Sequence, residues 1–342
     1  MNMKKFTALL LAAVLLLSVL AGCSGAATDR EEEPVAGEGH LGNFIGYPPK
    51  ELSGIIQWGA GGGTDSLMRP LAVLAQDVLG TNIVLTNKTG NTGAVAVEYV
   101  YHQPADGATL LMGAENPALY DTLGISTLAY EDFECVFLIG SETTGIVVPE
   151  GSPYGSLTEL VEAAKSGKEV TLATTGVGGL PWEVAAMLKS ITGAEFTQVP
   201  YDSDASAKAA VLSGACDFTN SKIQMGYQEY KSGEYKWLCV LAKEPVELMK
   251  DVPLITAEYP AFEDLLPWGP FYGVFVKDGT DEQVVKVLSD AFAKAYGDSS
   301  YQTMLGYFYI NPLGYTGDQA REYIGNWRTN VVDILTKVNA IE

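Results

Sequence analysis

The chain has 342 residues, 47% of them hydrophobic, with 21 Lys and Arg against 42 Asp and Glu and a formal net charge of −21. That length allows two lobes with separate cores. Such acidity argues against a nucleic-acid partner, whose phosphates need Lys and Arg to neutralise them; it does not exclude a small-molecule pocket, because one cleft can differ from the average surface.

At the N-terminus, Lys4 and Lys5 precede an apolar run from Phe6 to Leu20 that ends in Leu20-Ala21-Gly22-Cys23. This is the layout of an export signal, too short and wrongly flanked for a membrane span. LAGC followed by Ser24 resembles a bacterial lipobox, which implies cleavage before Cys23 and a lipid on its thiol. Residues 1–22 are then a lipoprotein signal peptide. Residues 23–44 are small, acidic and aperiodic, as a flexible tether between membrane and domain would be. Cleavage would leave 320 residues with a charge of −23.

From residue 51 onward, short apolar runs alternate with longer amphipathic stretches. Strands are predicted at 52–58, 82–87, 109–113, 135–140, 145–148, 170–174, 196–199, 218–220, 237–242 and 272–276. Helices are predicted near 65–80, 92–103, 116–121, 156–166, 181–192, 203–214, 221–231, 281–297, 299–307 and 317–339. Such alternation predicts an α/β architecture with mainly parallel sheets flanked by helices. Pro- and Gly-punctuated stretches at Val147–Ser156 and Pro267–Thr280 look like crossings between lobes. The expected division is 45–147 plus 270–342 for lobe 1 and 148–269 for lobe 2, the layout of a two-lobed ligand clamp. Cys135, Cys216 and Cys239 lie far apart in apolar settings without metal-ligand spacing. They read as buried small hydrophobes, or as one disulfide and an odd thiol, and no zinc site is expected.

The stretch WGAGGGTD, Trp58 to Asp65, follows a strand and opens a helix. A dinucleotide fingerprint laid on it from Gly59 fails at Thr64. A Walker loop needs a Lys, and none lies between Lys50 and Lys88. What remains is an anion cradle: glycines bring backbone N–H groups close to a ligand, and the following helix adds its free N-terminal donors, which suit a carboxylate as well as a phosphate. A tight turn without a ligand is the alternative. Asp65 suits a helix cap and loop brace. TNKTGNTGAV (Thr86 to Val95) and ATTGVGGLPWEV (Ala173 to Val184) repeat the strand–loop–helix design. Ligands in such sheets sit at the carboxyl ends of the strands, so the three loops are expected to face one cleft.

With these loops in place, the chain resembles the substrate-receptor family of tripartite tricarboxylate transporters, the Bug-type receptors. Family members typically read Y-P-x-K-P-I, V-P-[FW]-x-x-G-G-x-x-D, N-x-x-G-x-x-G, P-D-G-Y-T-L, N-P-x-L-Y, G-x-G, V-P-Y-K-G and D-V-P-T. Here they are YPPKEL, IQWGAGGGTD, NKTGNTG, PADGATL, NPALY, TTGVGG, VPYDSD and DVPLIT, in order from Tyr47 to Thr256. The resemblance implies a Venus-flytrap, periplasmic-binding-protein fold that captures a small organic carboxylate for a permease made of large and small membrane subunits. It implies no catalysis, no cofactor and no metal, and a monomer is expected. Carried over by motif, Trp58, Gly61, Gly62, Thr64 and Asp65 line the first loop, Asn91, Thr92 and Gly93 the second, and Thr175, Gly176, Val177 and Gly178 the third, with Tyr201 as a wall.

Three departures from the family pattern bear on the ligand. Glu115 stands beside Asn116 near the expected cleft, VPYDSD replaces a cation by Asp202 and Asp204, and Trp182 extends the third loop. If Glu115 faces the ligand it suits an amine-bearing one such as an amino acid or other zwitterion, and Trp58 with Trp182 would clamp an aromatic or aliphatic body or cover a cation. The plainer alternatives are a solvated helix-start Glu115, a Trp182 packed in its own lobe, and Asp202 and Asp204 as helix caps. An exported hydrolase lacks parts, since neither His40 nor His102 lies in a plausible site and there is no G-x-S-x-G elbow. A ligand-sensing module for a signalling partner would use the same clamp, and sequence does not separate it from transport.

Overall fold

A computed structural model describes residues 46–341. The predicted signal peptide, the tether and Cys23 lie outside the described residues. Eleven strands are present among them: β1 (Glu51–Ile56), β2 (Asn82–Asn87), β3 (Thr109–Ala114), β4 (Phe133–Ser141), β5 (Thr144–Pro149), β6 (Thr171–Thr174), β7 (Thr197–Pro200), β8 (Thr219–Lys222), β9 (Tyr235–Val240), β10 (Phe271–Lys277) and β11 (Asn311–Tyr315). The helices are α1 (Gly63–Leu79), α2 (Ala94–Tyr101), the single turn α3 (Tyr120–Leu123), α4 (Leu157–Lys165), α5 (Leu180–Thr192), α6 (Asp204–Leu212), α7 (Ile223–Ser232), α8 (Glu282–Tyr296), α9 (Ser299–Phe308) and α10 (Gly317–Lys337).

A six-stranded sheet has the order β11-β4-β10-β3-β1-β2, a three-stranded sheet the order β8-β5-β9, and β6 pairs with β7 alone. A parallel bridge between Leu172 and Phe218 ties β6 to β8. The architecture is the expected α/β one. Its parallel ladders are β1–β2, β1–β3 and β6–β7, and of these strands β1, β2 and β6 feed the three glycine loops. The antiparallel ladders involve β4, β5 and β10, strands that arrive from or leave for the other sheet and so enter in reverse.

Helices cover both faces of the large sheet. Leu67 and Leu71 of α1 meet Leu288 and Phe292 of α8 over Ile56 and Met112. Val97 and Val100 of α2 meet Leu111, Phe275 and Ile324 on the other face. Burial on both faces is why β4 is apolar almost throughout rather than alternating. The smaller sheets have their own core, in which Ile146, Leu160, Leu172, Val184 and Phe218 pack together. The last helix spans both: its Ala320 and Ile324 pack with the first group, while Val331 and Leu335 pack with the second.

The chain passes from the large sheet to the smaller ones at Glu142–Thr143 and returns between Leu266 and Pro270. The first passage precedes the Val147–Ser156 stretch, whose VVP is the end of β5. β11 was not predicted, because Pro312 and Gly314 argue against a strand; it is tolerated as an edge with an irregular register against β4. Cys135, Cys216 and Cys239 are buried free thiols.

Candidate functional site

The first loop leaves β1 at Gln57 and enters α1 at Gly63. Its brace is Asp65, whose carboxylate accepts from the Gly61 N–H at 3.0 Å and the Asn87 amide at 2.8 Å and pairs with Arg69 at 2.8 Å. The Asn87 amide also donates to the Trp58 carbonyl at 2.7 Å. Asp65 is therefore not the helix cap: Gly62 holds that position, and Asp65 reaches back from the first turn. Burial would raise its carboxyl, but the bonds from Arg69, Gly61 and Asn87 outweigh this and hold it below the usual carboxylate range. Asp65→Ala is expected to cost about 2 kcal/mol in urea unfolding at pH 7. The depressed group stabilises above its unfolded pKa, so the gap to wild type should shrink as pH falls from 6 to 3; a constant gap would show that the loop does not depend on the charge.

The second loop runs through the left-handed region. Asn91 and Thr92 have φ of 48° and 52°, a conformation Asn tolerates but one uncommon for the β-branched Thr92, where it costs roughly 1–3 kcal/mol unless held in place. Thr92 is held from both sides. The Tyr120 hydroxyl donates to its carbonyl at 2.7 Å, and its own hydroxyl donates to the Val177 carbonyl of the third loop at 2.7 Å. Beneath it, fully buried Gln57 donates to Asn116 at 3.2 Å and to Tyr120 at 3.1 Å and accepts from the Ala114 N–H at 3.1 Å. The end of β1, the NPALY turn and the second loop thus form one rigid wall.

The third loop follows β6 and faces that wall. Asn116 donates to the Gly178 carbonyl at 2.9 Å, and the Gly59 N–H approaches the Asp202 carbonyl at 3.4 Å. Contact is so close that a Cβ on Gly178 would lie 2.5 Å from Leu123, and one on Gly59 2.9 Å from Ser203. Among the described residues, the N–H groups of Thr175, Val177 and Gly178 donate to no protein acceptor, an arrangement suited to an anion.

The three loops enclose a cavity of about 350 Å³ lined by Trp58, Asn91, Thr92, Thr175, Gly176, Val177 and Tyr201, together with Asp202 and others. A second, much smaller space of about 10 Å³ shares Trp58 and Thr175 with it and is bordered by Glu115, Asn116, Asp204 and Lys222; it offers the room of about one water molecule. Eight of the predicted site residues therefore come together. Gly61, Gly62, Thr64, Asp65, Gly93 and Gly178 line neither space and instead shape the loops that do. Trp182 is a correction to the expected clamp. It packs partly buried in the core of the smaller sheets and borders a different groove with Lys189, Phe196 and Asn339, because the first turn of α5 turns it away from the cleft.

The expectation that Asp202 and Asp204 cap α6 is also corrected. Ser203 between them is the cap, accepting from the Ser206 N–H at 3.2 Å. Asp204 instead meets Lys222 at 2.5 Å. Lys222, nine-tenths buried, is a site residue not foreseen. The available signal was a Lys at the carboxyl end of a strand in TNSKIQM; its partners are far away in sequence. Burial would lower its pKa, but Asp204, Glu115 and Glu142 hold it raised. Burial pushes the Glu115 carboxyl up to about 7, against the pull of Lys222. Glu142 is pushed up to about 7 by the same cause, although Lys222, Tyr272 and Gln224 stabilise its charge. Glu183, fully buried in α5 with both carboxyl oxygens unpartnered, is driven well above the usual range by burial and by Glu115. Among the described residues no acidic or Cys/His group has the arrangement of a metal site.

The profile of the family described as tripartite tricarboxylate transporter family receptor, TctC, matches residues 67–339. Protein BugT of Bordetella pertussis is 25% identical over 290 residues, 82% of this chain and 86% of its own length. The periplasmic binding protein BugD has a similar fold, with a TM-score of 0.79 at 22% identity over 86% of this chain and 99% of that one. So has MatC of Rhodopseudomonas palustris, with a TM-score of 0.73 at 24% identity over 83% of this chain and all of the other. Since the matched span covers well over half of the sequence, the chain belongs to the tripartite tricarboxylate transporter receptor family.

Proposed function

We propose that the protein is an extracytoplasmic receptor, lipid-anchored through Cys23, that captures a small organic carboxylate between two lobes and delivers it to the large and small membrane subunits of its transporter. The observation that carries this reading is the 350 Å³ cavity whose lining comes from all three glycine loops, with the N–H groups of Thr175 and Val177 beside it. The fold relative MatC, solved with bound malate, supports a carboxylate. The lobes would be the large sheet with its helices and the smaller sheets with theirs, joined at Glu142–Thr143, at Leu266–Pro270 and along α10. Hydrogen bonds such as Thr92 to Val177 and Asn116 to Gly178 would then be made in the closed state and broken in the open one. No step needs covalent chemistry, so the protein acts as a receptor and not as an enzyme.

Isothermal titration of the processed chain against di- and tricarboxylates, amino acids and aromatic acids tests the reading. Saturable binding by at least one carboxylate is expected, and silence across the panel would overturn it. For the anchor, Cys23→Ala should move the protein from the membrane fraction to the soluble one; retention on the membrane would refute lipidation at that thiol.

A further inference from the structure

We propose that the ligand carries an ammonium group as well as a carboxylate, and that Glu115 at the floor of the cleft recognises it. This rests on the carboxylate-receptor reading and narrows its ligand class to amino acids and other small zwitterions.

Groups from five elements gather around Lys222, and three of them, Glu115, Asp204 and Lys222 itself, border the small space beside the cavity. Glu115 follows β3, Glu142 follows β4, Asp204 lies in α6, Lys222 ends β8, and Tyr272 lies in β10. Three carboxylates thus face one ammonium. Two of them are satisfied inside the protein. Asp204 takes the Lys222 ammonium at 2.5 Å, and Glu142 accepts from the Gln224 N–H at 3.0 Å, the Gln224 amide at 2.9 Å and the Tyr272 hydroxyl at 2.7 Å. Glu115 is not: it is 3% exposed, and its Oε2 has no partner among the described residues.

A buried carboxylate oxygen without a donor is costly, and such groups in folded proteins are normally met by water or by a ligand. Glu115 borders the small space that shares Trp58 and Thr175 with the main cavity, and parting of the proposed lobes would bring a ligand donor within its reach. A second ligand carboxylate placed there would meet an excess of negative charge and be repelled. An ammonium would supply the missing donor in a charge-assisted hydrogen bond, with Trp58 as an aromatic wall common to both spaces. The ligand carboxylate would lie above, at the N–H groups of Thr175 and Val177, where the free donors are. The two ends of the cleft are therefore opposite in preference, which suits a small molecule carrying both charges.

Titration calorimetry with the full processed chain and three matched pairs tests this: glutamate and glutarate, phenylalanine and 3-phenylpropionate, and 4-aminobutyrate and butyrate. In any pair that binds, the amine-bearing member should bind at least about tenfold more tightly, and Glu115→Gln should remove most of that advantage. The melting temperature of ligand-free Glu115→Gln should not fall below wild type, because the amide replaces a carboxylate whose Oε2 has no partner and whose charge is disfavoured by burial. Equal or tighter binding of the amine-free member, or a ratio unchanged in Glu115→Gln, overturns the proposal while the receptor reading stands. Silence of all six probes together with the tricarboxylates would overturn both.

Discussion

Gly59→Val should lower ligand affinity about 30- to 100-fold while leaving the melting temperature of the ligand-free protein within about 2 °C of wild type. Gly59 has no left-handed φ, so valine fits its backbone. The obstacle lies across the cleft, where its Cβ would stand 2.9 Å from the Ser203 Cβ and 3.3 Å from the Asp202 carbonyl. Ser203 cannot easily retreat because it caps α6 through a reciprocal pair of bonds with Ser206. Overpacking at such a contact costs about 2–3 kcal/mol, and under the proposed opening and closing of the lobes only the closed form bears it. An affinity that depends on closure falls by the same free energy, about 1.4 kcal/mol per tenfold. Gly59→Ala should fall between the two. Small-angle scattering with saturating ligand should show the variant more extended than wild type; unchanged affinity and unchanged compaction would mean that these contacts are not the closure interface.

The frame of this protein was readable because its central strands, such as β3, β4, β5 and β10, are buried nearly throughout and its helices are amphipathic, so each announces its type locally. Asn82–Asn87 was predicted to the residue. β11 was not, since an edge strand tolerates the Pro and Gly that normally end one. The glycine loops were legible for the same local reason, as glycines after a strand have few other uses. What escaped depends on contacts distant in sequence. Thr92 adopts a left-handed conformation because Tyr120 and Val177 hold it, and nothing in NKTGNTG reports that. Asp204 looked like a cap, yet Ser203 took that role and freed Asp204 for Lys222. Trp182 lies beside the third loop in sequence and faces away from it in space.

Lys222→Met should produce the largest loss of stability, about 3–5 kcal/mol at pH 8, as expected when one partner of a buried ionic group is removed. Methionine preserves the volume, so packing is nearly constant and the change reports the charge. Without the ammonium, Asp204 loses its 2.5 Å partner, and Glu115 and Glu142 lose the group that offsets their burial. The sign of the pH dependence follows from the raised carboxyls. Their folded pKa of about 7 exceeds the unfolded value, so the folded state binds more protons and gains stability as pH falls from above 7 towards 5. Removing Lys222 raises both further, so protonation relieves the variant more than the wild type. Urea unfolding at pH 8 and pH 5 should therefore show the gap shrinking, to about half or less, because the residue left at pH 5 is mainly the lost Lys222–Asp204 bond. A gap equal or larger at pH 5 would mean that Lys222 acts through packing and not as the counter-charge of the cleft floor.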